Sequence, residues 1–118
     1  MELRKLQKIA VTALEDIKAK EIAILYTARR TDLFERVIIA CGDSSRQVRA
    51  LARNVVDKVR AAGGETLSVE GEENGEWVLV DLGSVVVHVM QPAARAFYNL
   101  EELWGPARDA RRDARIRE

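Results

Sequence analysis

The sequence has one cysteine, one histidine and no net charge, and each of these scarcities excludes a class of protein. The single cysteine, Cys41, cannot form a disulfide within the chain, and the chain has no CxxC pair that would bind a metal. We therefore expect a reducing compartment, the cytoplasm. The 19 Lys and Arg residues balance the 19 Asp and Glu residues, whereas a protein whose main partner is naked nucleic acid usually carries a basic excess.

Long apolar runs are also absent. No stretch approaches the ~18 apolar residues that cross a membrane, and the start, MELRKLQKIA, lacks the apolar core of a secretory signal. With 118 residues, 47% of them hydrophobic and 32% charged, the chain is typical of one globular domain. Its composition changes only near the end, so we divide it into a domain, residues 1–104, and an Arg-rich tail, residues 105–118.

Hydrophobic spacing predicts the secondary structure. It indicates a helix over 3–17, strands over 21–28 and 34–42, a second helix within 42–64, strands over 65–71, 76–83 and 84–91, and a helix from Pro92. Asn99 is expected to cap a further turn, with Glu102 as its capping-box partner. This order predicts an α/β fold, a mixed β-sheet of about five strands flanked by helices.

The last two strands flank Gly83-Ser84, a two-residue hairpin turn. That turn places Leu79 opposite His88, and side chains alternate between the two faces of each strand. One face is then purely aliphatic and belongs to the core. The other contains Trp77, Asp81, His88 and Met90, and Asp81 and His88 lie within reach of each other.

Catalysis is one interpretation of this second face. A triad needs a Ser or Cys beside the histidine, but CGDSS, residues 41–45, is not a G-x-S-x-G elbow. Zinc needs about three protein ligands, and one His with one Cys is too few, so we expect no metal and no cofactor. The GDSSR loop is similar to the glycine-serine loop of nucleotidyltransferases, yet the paired carboxylates that bind magnesium are missing. A nucleotidyltransferase-like enzyme stays the alternative.

Recognition is the other interpretation. A lone histidine in a strand is often a structural residue, and tryptophans are often core residues, although Trp is also enriched at binding surfaces. The acidic run from Glu70 to Glu76 is either a solvated turn or a surface that steers a basic partner.

Several motifs in residues 69–104, in order, resemble one family, the Iojap-related ribosomal silencing factors. They are Glu70-Gly71, Trp77 ahead of the Val80-to-Gly83 strand end, Val87-His88-Val89, and the segment from Tyr98 to Trp104. The upstream stretch ACGDSSRQV, residues 40–48, also fits. Position 43 departs from the family, with Asp where Thr is frequent, and so does position 84, with Ser where Asp is common.

The resemblance implies a fold like a nucleotidyltransferase core without its catalytic acids, and a function other than catalysis. Family members bind ribosomal protein fourteen of the large subunit at the intersubunit face, block association of the two subunits and repress translation. Some members form homodimers. On this basis we expect the following residues to bind the partner: Glu70, Trp77, Asp81, His88, Met90, Tyr98 and Trp104.

The resemblance carries nothing over for the tail. Its arginines alternate with acids, and it offers almost no apolar face. We interpret it as a frayed extension. The alternative is a minor contact with ribosomal RNA.

Overall fold

The computed structural model describes residues 1–28 and 31–100 and the backbone of 108–109, and it contains one mixed sheet with helices on both faces. The elements are, in chain order, α1 (Leu3–Asp16), β1 (Lys20–Tyr26), β2 (Arg36–Cys41), α2 (Ser45–Ala61), β3 (Ser68–Glu70), β4 (Trp77–Asp81), β5 (Val85–Met90), α3 (Pro92–Tyr98) and β6 (Arg108–Asp109). No helix in these described parts is long and apolar enough to span a bilayer.

The strands lie in the order β3-β4-β5-β2-β1-β6. Strands β2 and β5 run parallel, and every other neighbouring pair is antiparallel. The predicted mixed sheet of about five strands is therefore confirmed, and β6 adds two residues at its edge. The parallel pair puts β5, which carries His88, in the interior of the sheet.

Helices α1 and α2 form a layer on one face of the sheet. The N-terminus of α2 is capped by Ser44, whose side chain accepts a 3.1 Å hydrogen bond from Gln47 N. Gln47 Nε2 donates to Ile17 O, and Asn54 Nδ2 donates to Ala13 O at 2.8 Å, so the two helices run antiparallel. The buried stripe of α2 packs on the sheet, as the sequence predicts: Val48, Leu51, Ala52, Val55 and Val59.

The opposite face of the sheet has a smaller apolar cluster. Its buried members are Ala23, Leu25, Val37, Ile39, Met90 and Ala94. Only Ala94 comes from α3, and α3 is seven residues long. Among the described residues, this face is therefore much less covered than the face beneath α1 and α2.

Pro92 opens α3 as predicted, and Asn99 ends that helix. It is the C-cap of α3, with φ 42°, and its backbone N–H donates to Arg95 O at 3.0 Å. Asn is one of the few residues that tolerate this left-handed conformation. Glu102, the expected capping partner, lies outside the described residues.

The tail differs from a frayed extension at two positions. Arg108 and Asp109 pair antiparallel with Ile24 and Ala23 of β1. The outer edge of β1 offers unpaired N–H and C=O groups there, and such an edge is a template for strand pairing. The rest of the tail lies outside the described residues.

Two glycines with similar backbone angles give a test of this packing. Gly71 has φ 91°, and a Cβ there would lie 2.1 Å from Trp77 O, whereas a Cβ at Gly63, φ 88°, would meet nothing within 4 Å. We expect Gly63→Ala to cost about 1 kcal/mol of unfolding free energy from backbone strain alone. Gly71→Ala should cost at least ~3 kcal/mol, because strand β4 must also move.

Urea denaturation of the two variants measures both costs on one scale. Equal losses of stability would contradict the close approach of residue 71 to β4.

Candidate functional site

The β4–β5 hairpin has the register that the sequence predicts. Leu79 pairs with His88, and the Gly83-Ser84 turn is closed by a 2.9 Å bond from Leu82 N to Val85 O. The aliphatic face of the hairpin lies in the core beneath the helical layer. The other face, on the less covered side of the sheet, carries Trp77 and His88.

The histidine is hydrogen-bonded to tryptophan; Asp81 is its diagonal neighbour, as predicted, but does not hydrogen-bond to it. Trp77 Nε1 donates to His88 Nδ1 at 2.9 Å, and the two ring centroids lie 5.7 Å apart. Trp77 stands opposite Met90, which makes it the other diagonal neighbour of His88, and its long side chain reaches the imidazole. Asp81 instead accepts a 2.8 Å bond from Gly83 N, because a carboxylate two residues earlier can close the turn.

His88 is held as a neutral imidazole. Its side chain is largely buried, and this burial lowers the pKa of His88 to about 4. Because Nδ1 accepts a bond from Trp77, the proton of the neutral ring belongs on Nε2. A general base works best with a pKa near the operating pH, so this environment favours a structural and recognition role for the ring.

Three aromatic side chains form a continuous patch beside His88. The rings of Trp77 and Tyr98 lie 4.7 Å apart, and Phe97 meets Tyr98 edge to face at 5.0 Å. Trp77 is half-buried, whereas Tyr98 is 54% and Phe97 is 81% exposed. We call Trp77, Phe97 and Tyr98 the aromatic patch. Contiguous apolar groups at a surface are typical of sites that bind proteins.

A groove of about 620 Å³ adjoins the patch at His88. Apolar side chains make most of its walls, and they are Leu33, Phe34, Leu67, Leu79, Val86 and Leu100. Glu70 and Asp81 contribute carboxylates to the same groove, and Ser68 contributes a hydroxyl. The groove therefore combines apolar walls with negative charge, which suits a partner side chain that is both long and cationic.

The structure distributes the seven predicted partner-binding residues among different positions. Glu70, Asp81 and His88 line the groove, and Trp77 and Tyr98 belong to the patch. Met90 is fully buried in the smaller apolar cluster. It therefore supports the site from beneath and is not itself on the surface. Trp104 lies outside the described residues.

Phe97 and Leu33 were missed by the sequence analysis, although both are among the most exposed large apolar side chains. The exposure of Phe97 follows from how α3 packs on the sheet. In the helix PAARAFY only Ala94 is buried. The helix therefore contacts the sheet through one small side chain, and Phe97 and Tyr98 remain at the surface.

The possible nucleophiles are engaged in structural contacts. Ser44 caps α2, and Ser45 Oγ accepts from Gln91 Nε2 at 3.1 Å. Cys41 Sγ lies 3.4 Å from an Arg95 nitrogen, and burial raises the pKa of its thiol. Asp43, within the GDSSR loop, pairs with Lys20 at 2.7 Å. Within the described residues, no three His, Cys, Asp or Glu side chains converge on a possible metal position.

Titration of the only histidine tests the buried Trp77–His88 pair. An NMR titration of the imidazole protons should give a pKa near 4 in place of the ordinary 6.5. The depressed value contributes stability that is complete above pH 6.5 and is lost as the pH falls to 4, because the unfolded chain binds the proton first. The loss amounts to about 3 kcal/mol.

Trp77→Phe is the matched control, since it keeps an aromatic ring but removes the Nε1–H donor. The pKa of His88 should rise in this variant, and stability should fall by about 1 to 3 kcal/mol as Nδ1 loses its partner. A wild-type pKa near 6.5 would show that the ring is solvated and would contradict the buried pair.

Comparison with known proteins gives a consistent result over nearly the whole chain. A family model described as "Ribosomal silencing factor during starvation" matches residues 1–118. A ribosomal silencing factor of Chromobacterium violaceum is 55% identical over 105 residues, which span 89% of this chain and 86% of the relative. One of Bacillus subtilis is 39% identical over 107 residues, 91% of each chain.

The fold agrees with that result. A crystal structure of a Chromobacterium violaceum protein superposes with a TM-score of 0.89 at 53% sequence identity. The superposition covers 93% of this chain and 92% of the chain in that crystal structure. The family resemblance carried by Glu70-Gly71, Trp77 and Val87-His88-Val89 is thereby confirmed. The chain belongs to the ribosomal silencing factor family.

Proposed function

We propose that this protein binds ribosomal protein fourteen of the large subunit through the aromatic patch and the groove. Bound there, in the cytoplasm, it blocks association of the small and large subunits and represses translation. The observation that carries the proposal is the exposure of Phe97 and Tyr98, 81% and 54%, beside a groove that contains two carboxylates.

The aromatic patch supplies affinity in this proposal. Aromatic side chains bury a large apolar area with few rotatable bonds, and a few such anchors dominate the binding energy of most interfaces. Tyr98 is braced by Trp77 on one side and Phe97 on the other. Less side-chain entropy is lost when such a braced ring binds, which favours its use as an anchor.

Charge supplies the speed of encounter and the choice of partner. No Lys or Arg occurs between Arg60 and Arg95, while Glu65, Glu70, Glu72, Glu73, Glu76 and Asp81 all fall within that stretch. The β3–β4 region is thus strongly acidic, and Glu70 and Asp81 lie at the groove itself. A negative surface attracts a basic protein over a distance and accelerates docking.

The repression that we propose is steric. The domain measures 33 × 32 × 26 Å over the residues described, a volume that the small subunit must occupy when the ribosome forms. Binding to a free large subunit shifts the association equilibrium by mass action. The factor therefore acts best when it reaches the large subunit before the small subunit does.

The order of addition tests this mechanism. Protein added to isolated large subunits before small subunits should lower the fraction of joined ribosomes, and protein added afterwards should have less effect. Tyr98→Ala should weaken binding to large subunits by about 2 kcal/mol, close to 30-fold, because it removes a central anchor. Its thermal stability should change little, since the ring is largely exposed.

Thr12→Ala is the control and should leave binding unchanged. Thr12 is exposed on α1, which lies on the face of the sheet opposite the groove. Equal binding to small and large subunits, or normal subunit joining in the presence of the protein, would refute the proposal.

A further inference from the structure

The net charge of zero conceals a separation of charge between two parts of the molecule. Helices α1 and α2 together carry eight Lys and Arg residues and three Asp and Glu residues. The stretch from Glu65 to Asp81 carries six acids and no base. The helical layer covers one face of the sheet and the groove lies at the other, so the positive surface is distinct from the proposed protein-binding site.

The cations are concentrated where α1 begins and α2 ends. Because the helices are antiparallel, these two ends lie side by side, and Met1 lines one pocket together with Gly63 and Gly64. Arg4 and Lys5 of α1 and Lys58 and Arg60 of α2 are all exposed at this end. We call Arg4, Lys5, Lys58 and Arg60 the basic end.

The side chains of the basic end are available to a partner. Within the described parts of the chain none of the four forms an ion pair, and the pairs Lys20–Asp43 and Arg53–Glu72 lie elsewhere. The nearest acids in sequence are Glu2, Asp57 and Glu65. The carboxylate of Glu2 already accepts bonds from the backbone amides of Arg4 and Lys5, so the cap of α1 occupies one of these three.

We infer that the basic end binds the phosphate backbone of RNA. Four cations on two adjacent helices, whose axes are typically 8–10 Å apart, can reach more than one phosphate at a time. Such contacts position a protein without reading sequence. The inference rests on the proposed function in one respect, since a ribosomal subunit is the source of RNA that this chain would meet.

An anionic membrane fits the same surface less well. A helix that lies in a membrane interface inserts large apolar side chains beside its basic ones. Among the large apolar residues exposed in the described chain, Met1 and Leu67 line the pocket at the basic end, and none lies on α1 or α2. The helical layer therefore offers charge with almost nothing to insert.

A titration of the full chain with an A-form RNA duplex of about 16 base pairs tests the inference. Amide resonances at the start of α1 and the end of α2 should shift, and those of the groove should not. Replacing all four residues of the basic end with Gln should weaken RNA binding at low salt at least fivefold. The slope of log K against log salt should become shallower by roughly 0.7 to 0.9 for each phosphate that the variant no longer neutralises.

Two controls test whether RNA binding depends on positive charge and whether it depends on where in the chain that charge lies. The pair Arg4→Lys with Arg60→Lys keeps the positive charge and should keep RNA binding. Changing Arg111, Arg112, Arg115 and Arg117 of the tail to Gln removes the same four charges elsewhere and should have a smaller effect. An equal effect of the tail variant would overturn the assignment to the basic end, as would binding to phosphatidylserine vesicles without binding to RNA.

Co-sedimentation with large subunits keeps this inference separate from the proposed function. If the wild-type chain sediments with large subunits but RNA shifts no resonance of the basic end, only the RNA inference fails. If RNA shifts those resonances and the chain sediments with neither subunit, the proposed function fails and the RNA site stands.

Discussion

The hydrogen bond from Trp77 Nε1 to His88 Nδ1 joins the two halves of the candidate site. His88 lines the groove, and Trp77 contacts Tyr98. The 2.9 Å bond between Trp77 and His88 fixes the indole and the imidazole relative to each other. A buried acceptor with a donor supplied by a neighbouring strand is stable only as a pair. The indole is therefore both a structural support and a half-buried member of the aromatic patch. Trp77 is thus neither purely a core residue nor purely a residue of a binding surface.

Within the described residues, the two faces of the sheet are covered unequally, and this exposes the site. On one face, α1 and α2 bury the aliphatic side chains of β4 and β5 completely. On the other, α3 contributes one buried residue, Ala94, and turns Phe97 and Tyr98 outward. The charges follow the same division, with cations on the helical layer and carboxylates near the groove. A chain of zero net charge thereby acquires two surfaces of opposite character.

The sequence was sufficient for the local geometry and insufficient for the long-range contacts. The alternation of valines and the Gly83-Ser84 turn predicted the register of Leu79 with His88, because a two-residue hairpin has few alternatives. The parallel pairing of β2 with β5 joins segments more than 40 residues apart, and no local pattern specifies it. The choice of Trp77 over Asp81 as partner of His88 depends on side-chain reach, and the burial of Met90 depends on packing from β1 and β2.

The central claim is that the aromatic patch contacts a protein of the large subunit, and cross-linking from position 97 tests it most directly. Phe97 is 81% exposed, so a photoreactive phenylalanine analogue there should preserve the fold. Irradiation with isolated large subunits should give one major protein adduct, ribosomal protein fourteen, and the adduct should be much weaker in a Tyr98→Ala background. Cross-links to a protein of the small subunit, or an adduct whose yield is the same without Tyr98, would contradict that claim.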